Sequence, residues 1–189
     1  MSGYASAQHD RMLAGVVKDC YVVALDLAAS PPVCRVSDGG DWVSAWVRWH
    51  SIAAGKARHW RAPSMGEQGT LVSASGDVAQ GTFIPGLYGN AGPPPDNRDH
   101  VEVWRFDDGG SLIYDWQAKS YSITLPSGTV TIKVASTEAV ITDSAVNVTT
   151  GNINLKAAVT IDGALHVTKG ITSAGAIIDA GGNSNHHTH

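Results

Sequence analysis

The sequence predicts an all-β chain in two parts: a small five-stranded barrel, then a slender β-helix that three copies of the chain wind together. Three observations carry this. Short β-prone runs broken by Gly, Pro and Asp turns fill the chain, and only Ser6 to Leu13 suggests one or two helical turns. All six tryptophans, Trp42, Trp46, Trp49, Trp60, Trp104 and Trp116, lie in the first part, and no Phe, Tyr or Trp follows Tyr121. Beyond Tyr121, β-prone triplets recur with centres five to nine residues apart.

The composition narrows the function classes. At 43% hydrophobic and 16% charged, the chain has material for a core and too little charge for wholesale disorder. A net charge of −4 argues against a nucleic-acid binder, which gathers Lys and Arg against phosphates. No apolar run approaches the roughly 18 residues that span a bilayer. The start, Met1-Ser2-Gly3-Tyr4, lacks the basic and apolar regions of a secretory signal, so assembly in the producing cytoplasm is expected. Cys20 and Cys34 form no framework or metal motif and read as two free thiols kept in a reducing compartment.

In chain order, Val16 to Leu27 is a long Val-rich strand, and Val33 to Val36 follows through Ala29-Ser30-Pro31-Pro32. Trp42 to Ile52 alternates in part; Gly69 to Ala74 and Val78 to Leu87 complete the set around Ser75-Gly76-Asp77. This order, with one longer connection from Ala53 to Pro63, fits an OB-type barrel. Asn90 to Asn97 holds three consecutive prolines, a stiff spacer. The expected division is a tail over 1–9, the barrel over 10–90, a linker over 91–99 and the shaft over 100–189. A hairpin opens the last part, His100 to Phe106 and Ser111 to Trp116 around Asp107-Asp108-Gly109-Gly110.

The triplets then run Ser122-Ile123-Thr124, Thr131-Ile132-Lys133, Val140-Ile141-Thr142, Val146-Asn147-Val148, Ile153-Asn154-Leu155, Val159-Thr160-Ile161, Leu165-His166-Val167 and Gly170-Ile171-Thr172. None is long enough to fold alone. A single-chain β-helix would welcome aromatic stacks in its core. A three-chain helix has a narrow axis that Val, Ile, Leu, Ala and Thr fill, and the composition favours it.

The chain ends Asn183-Ser184-Asn185-His186-His187-Thr188-His189. In an extended strand, residues i and i+2 share a face, so His187 and His189 present two imidazoles together. Three chains meeting on an axis raise two ligands to six, an octahedral set suited to iron, nickel or cobalt, whereas zinc prefers four ligands. Elsewhere the chemistry is plain. His50 and His59 read as structural, and His166 as outward-facing. Glu67, Asp77, Asp107 and Asp108 form no recognisable catalytic pair, and no nucleophile, metalloprotease or phosphate-loop motif is present. Arg48, Lys56, Arg58 and Arg61 surround a Trp-rich loop, better suited to docking on a protein ring than to single-stranded nucleic acid, given the negative total charge.

Several segments together resemble one family. Pro63-Ser64-Met65-Gly66-Glu67-Gln68-Gly69 with Thr70-Leu71-Val72, then Trp104-Arg105-Phe106-Asp107-Asp108-Gly109-Gly110-Ser111 with Tyr114-Asp115, Leu125-Pro126-Ser127-Gly128, and the terminal Asn185-His186-His187-Thr188-His189 resemble the central baseplate spike (baseplate assembly protein V type) of contractile phage tails and R-type pyocins. The resemblance implies a homotrimer whose OB domains attach to the tail hub. Its triple-stranded β-helix ends in a pointed, metal-bound apex that the contracting sheath drives through the target's outer membrane. It further implies one iron ion per trimer, held by His187 and His189 of each chain, no enzyme activity and no nucleic-acid partner. The rival expectation is a trimeric β-helix hydrolase acting on surface polysaccharide or peptidoglycan, which would need paired carboxylates in an aromatic groove.

Overall fold

The structure, a computed structural model, describes residues 2–74 and 76–175. The chain divides into two units, residues 1–126 and 127–189.

The first unit opens with helix α1 (Ser2–Val16), longer than the turns expected at Ser6 to Leu13 and continuous across the division placed at residue 10. The barrel strands follow: β1 (Val17–Asp26), β2 (Val33–Ser37), β3 (Arg48–Trp49), β4 (Gln68–Val72) and β5 (Thr82–Leu87). Their order in the sheet is β2-β1-β4-β5-β3. All neighbours are antiparallel except β3 and β5, which run parallel. The segment before β3 returns to β2 through the bridges Cys34–Val47 and Ser37–Val43, with Cys34 and Val47 exchanging N–H···O bonds of 2.8 and 2.9 Å. This closes the barrel and removes its free edges.

The expected strand from Trp42 to Ile52 shortens to β3 because Ser44 interrupts the ladder. Its hydroxyl accepts the Val36 N–H at 3.0 Å and donates to the Ala45 carbonyl at 2.7 Å. Similarly, the run expected from Val78 begins as a 3-10 turn (Val78–Gln80), because the Asp77 carboxylate caps the Ala79 N–H at 3.0 Å. Inside the barrel, alternate residues of the strands meet: Cys20, Val22, Cys34, Val36, Val47, Leu71 and Phe83 are all buried. Gly69 is required there, since a Cβ at that position would meet the Phe83 ring at 2.7 Å.

The same unit ends in a second antiparallel sheet of β6 (Val101–Arg105), β7 (Ser111–Asp115) and β8 (Ser120–Thr124). The expected hairpin is present, with Phe106 N–H donating to the Gly110 carbonyl across the turn and Gly109 at φ +87°. Its third strand is the triplet Ser122-Ile123-Thr124, which the sequence rhythm had assigned to the shaft.

The second unit contains a three-stranded sheet of β9 (Val130–Val134), β10 (Thr137–Ile141) and β11 (Val146–Thr149), again antiparallel. None of its described residues is buried. No helix among the described residues is long and apolar enough to cross a membrane.

Candidate assembly surface

Strand alternation and register place the side chains of the β9–β11 sheet. Thr137, Ala139 and Ile141 pair with Val134, Ile132 and Val130, and Ala139 and Ile141 pair with Val148 and Val146. One face therefore carries Val130, Ile132, Val134, Thr137, Ala139, Ile141, Val146 and Val148, all apolar except Thr137. The other carries Thr131, Lys133, Glu138, Val140, Asn147 and Thr149, with Lys133 and Glu138 paired at 3.0 Å. Ile132 is 62% exposed and Val134 73%. Covering such a face is worth on the order of 10 kcal/mol per chain. Among the described residues, most of this face stays exposed.

The next segment repeats the pattern without a sheet. Ile153 and Leu155, Val159 and Ile161, and Leu165 and Val167 flank the polar centres Asn154, Thr160 and His166, and all six apolar residues are exposed. Residues 150–175 make no strand ladder within the chain, although the sequence expects strands at these triplets. The physical reason is that a strand exists only with a partner backbone to satisfy its N–H and C=O groups. Period-two alternation within the strands between Val130 and Val148 is the sequence signal for this apolar face, which the triplet rhythm alone does not reveal.

The motif at Pro63 to Gly69 has a local explanation. Pro63 is fully buried, Gly66 adopts φ +79°, and its N–H donates to the Val22 carbonyl at 2.8 Å. Glu67 receives both Arg61 guanidinium nitrogens at 2.9 and 2.6 Å and the Ser64 N–H at 2.8 Å. Burial works to raise the Glu67 carboxyl, but these donors outweigh it and hold the group below its ordinary value. Arg61 is thereby committed to a structural pair, apart from the exposed Arg48, Lys56 and Arg58. The rings of Trp49, at the end of β3, and Trp60, in the connection that follows, have centroids 5.8 Å apart.

The remaining candidates are also held locally. His50 Nε2 lies 3.0 Å from the Thr82 hydroxyl, and His59 Nδ1 lies 3.4 Å from that of Ser51. Asp108 accepts the Gly110 N–H at 2.9 Å and Asp77 caps its turn, both as turn residues do. Burial pushes the Cys20 and Cys34 thiols up to about 11, which keeps them protonated and poor nucleophiles. Among the described residues, no three His, Cys, Asp or Glu side chains gather as a metal site. His187 and His189 lie outside the described residues.

These features define an OB barrel joined to a β-helical trimerisation domain. Residues 18–88 match the Type VI secretion system/phage-baseplate injector OB domain, and residues 102–173 match the Gp138 beta helical trimerization domain. The chain is 30% identical over 185 residues to the spike protein of Escherichia phage P2, across 91% of this chain and 82% of that one. It belongs to the phage baseplate spike family.

Proposed function

We propose that three copies of the chain form a rigid spike that a contracting tail sheath drives through the outer membrane of the target cell. The barrel fixes the spike to the tail hub, and the wound shaft transmits force through a small area. The observation that carries this reading is the apolar face of the β9–β11 sheet, followed by strand triplets without partners, which two further copies satisfy. The role is mechanical, without catalysis: Glu67 sits in an ion pair, Asp77 in a cap and Asp108 in a turn. The chain assembles in the producing cell's cytoplasm and leaves it on lysis, as part of a phage tail or a pyocin.

His187 and His189 of the three copies hold one metal ion at the tip. Imidazole nitrogens suit iron, nickel or cobalt, and iron is the first choice. The ion would cross-link the three copies at these residues.

Isolated tails offer the test. With the intact spike, triggered contraction should release dye from vesicles of outer-membrane lipid. Tails whose spike stops at residue 126, counted as assembled by electron microscopy, should contract without release. Equal release from both would remove the shaft from the piercing role. Hydrolysis of purified lipopolysaccharide or peptidoglycan by the trimer would overturn the non-catalytic reading.

A further inference from the structure

The β6–β8 sheet has one side partly covered within its own chain and one side that is more open. Register puts Ser111 and Asp115 on the first side, and both are buried. Asp115 there accepts the Arg98 guanidinium at 3.1 Å and the N–H groups of Gln117 and Ala118 at 3.0 and 2.8 Å. The opposite side carries Glu102, Trp104, Leu112, Tyr114, Tyr121 and Ile123, through the pairs Trp104–Leu112, Glu102–Tyr114, Tyr114–Tyr121 and Leu112–Ile123. Tyr114 is 45% exposed and Tyr121 62%, with ring centroids 6.4 Å apart. The first five of these side chains, up to Tyr121, line an open groove of about 440 Å³.

We propose that this aromatic face packs against a second copy of the chain and forms a collar where the trimerisation domain begins. The proposal rests on the three-chain reading of the shaft and extends it to a surface of a different kind. Two observations select a copy of this chain as the occupant. The segment that matches the trimerisation domain starts at residue 102, so every residue of the face belongs to it. A hydrolytic groove would need paired carboxylates, and this one is lined by a single carboxylate. Its carboxylate, Glu102, is taken by the indole N–H of Trp104 at 3.0 Å, and His59 covers one edge of that indole at 5.8 Å between centroids. Large, stiff aromatic side chains at a desolvated interface carry a disproportionate share of the binding energy. The collar would thus lock three chains in register before the thin shaft begins.

Nitration by tetranitromethane, read by peptide mass spectrometry on the intact full-length protein, tests this beside sedimentation equilibrium. A trimer is expected in which Tyr114 and Tyr121 react about tenfold slower than in the urea-unfolded chain, because reaction must await local opening. A trimer in which both react at the unfolded rate overturns the collar and leaves the three-chain shaft standing. A folded monomer overturns both. Protection that appears only on adding hub protein or outer-membrane polysaccharide assigns the face to that partner instead. Tyr121→Lys should lower the temperature at which the trimer dissociates, and Tyr121→Phe should not. Equal dissociation temperatures for all three proteins would also defeat the collar.

Discussion

The barrel and the β9–β11 sheet are both antiparallel, and both are built from alternating strands, yet only one of them has an interior. In the barrel, Phe83 and Leu71 are at 0% exposure and the sheet closes on itself. In the second unit an equally apolar set of alternating residues is left largely exposed among the described residues. The difference lies in where the strand partners come from. The barrel draws all five strands from one chain, whereas the shaft needs strands and side chains from other copies. Folding and assembly are separable events in the first region and one event in the second.

The sharpest way to break this comparison is to put a charge on the shaft face. Ile132→Asp would bury three carboxylates where the three copies meet, a penalty on the order of 10 kcal/mol summed over them. Sedimentation equilibrium should fall from about three times 19.7 kDa to a single chain, with the circular dichroism of the barrel retained. An unchanged trimer would show that the apolar face is not the seam.

The converse experiment strikes the barrel. Phe83→Ala should cost about 3–5 kcal/mol in urea unfolding of the first unit, from lost burial and the cavity left behind. A fragment covering 127–189 is not touched by it and should still associate. If the single substitution abolished association of the full chain, the two regions would not be independent.

A smaller effect is expected at the motif that precedes β4. Glu67→Gln removes a charge that Arg61 and Ser64 hold, at a cost of about 1 kcal/mol near neutral pH, since Arg61 is nearly half exposed. The Glu67 carboxyl lies below its ordinary value of 4.5 in the folded state. Its stabilisation is therefore complete above that value and is lost as pH falls through the lower folded one. The stability curves of the two proteins should converge in acid. A constant gap down to about pH 2 would place the effect elsewhere.

The smallest effect on assembly is expected at the tip. On the proposed function, replacing His187 and His189 together by Ala should abolish the metal, proposed at one ion per three chains, while the trimer persists, because the apolar shaft face and not the ion holds the copies together. Elemental analysis of the purified trimer measures this directly. Full metal content in the double variant, or one ion per chain in the parent, would sink the apical site.

Much of this was legible in the residues. Four of the five barrel strands fall where Val-rich runs and Gly, Pro and Asp turns put them, and the hairpin around Asp107 to Gly110 is where its turn chemistry predicts. The Trp42 to Ile52 run forms a shorter strand than its alternation implies, since a single buried hydroxyl at Ser44 diverts the ladder in a way that alternation cannot reveal. The helix is poorly legible in the sequence because Ser2 to Gly15 carries two glycines and little amphipathic pattern. The triplet at Ser122 follows the rhythm of the shaft, yet pairs with β7 because Tyr121 lies opposite Tyr114.

The sequence by itself determined the class. The lack of aromatic residues after Tyr121 excludes a wide core, and period-two alternation with short turns forces strands. Both follow from local chemistry and side-chain volume, which need no partner to be read. Only the tertiary structure decided which alternating faces are filled. Whether an apolar face meets another strand of the same chain or is left open depends on closure of the sheet, set by long-range pairs such as Cys20 with Gly69 and Trp49 with Phe83. Such pairs join residues far apart in the chain, and no local pattern records them.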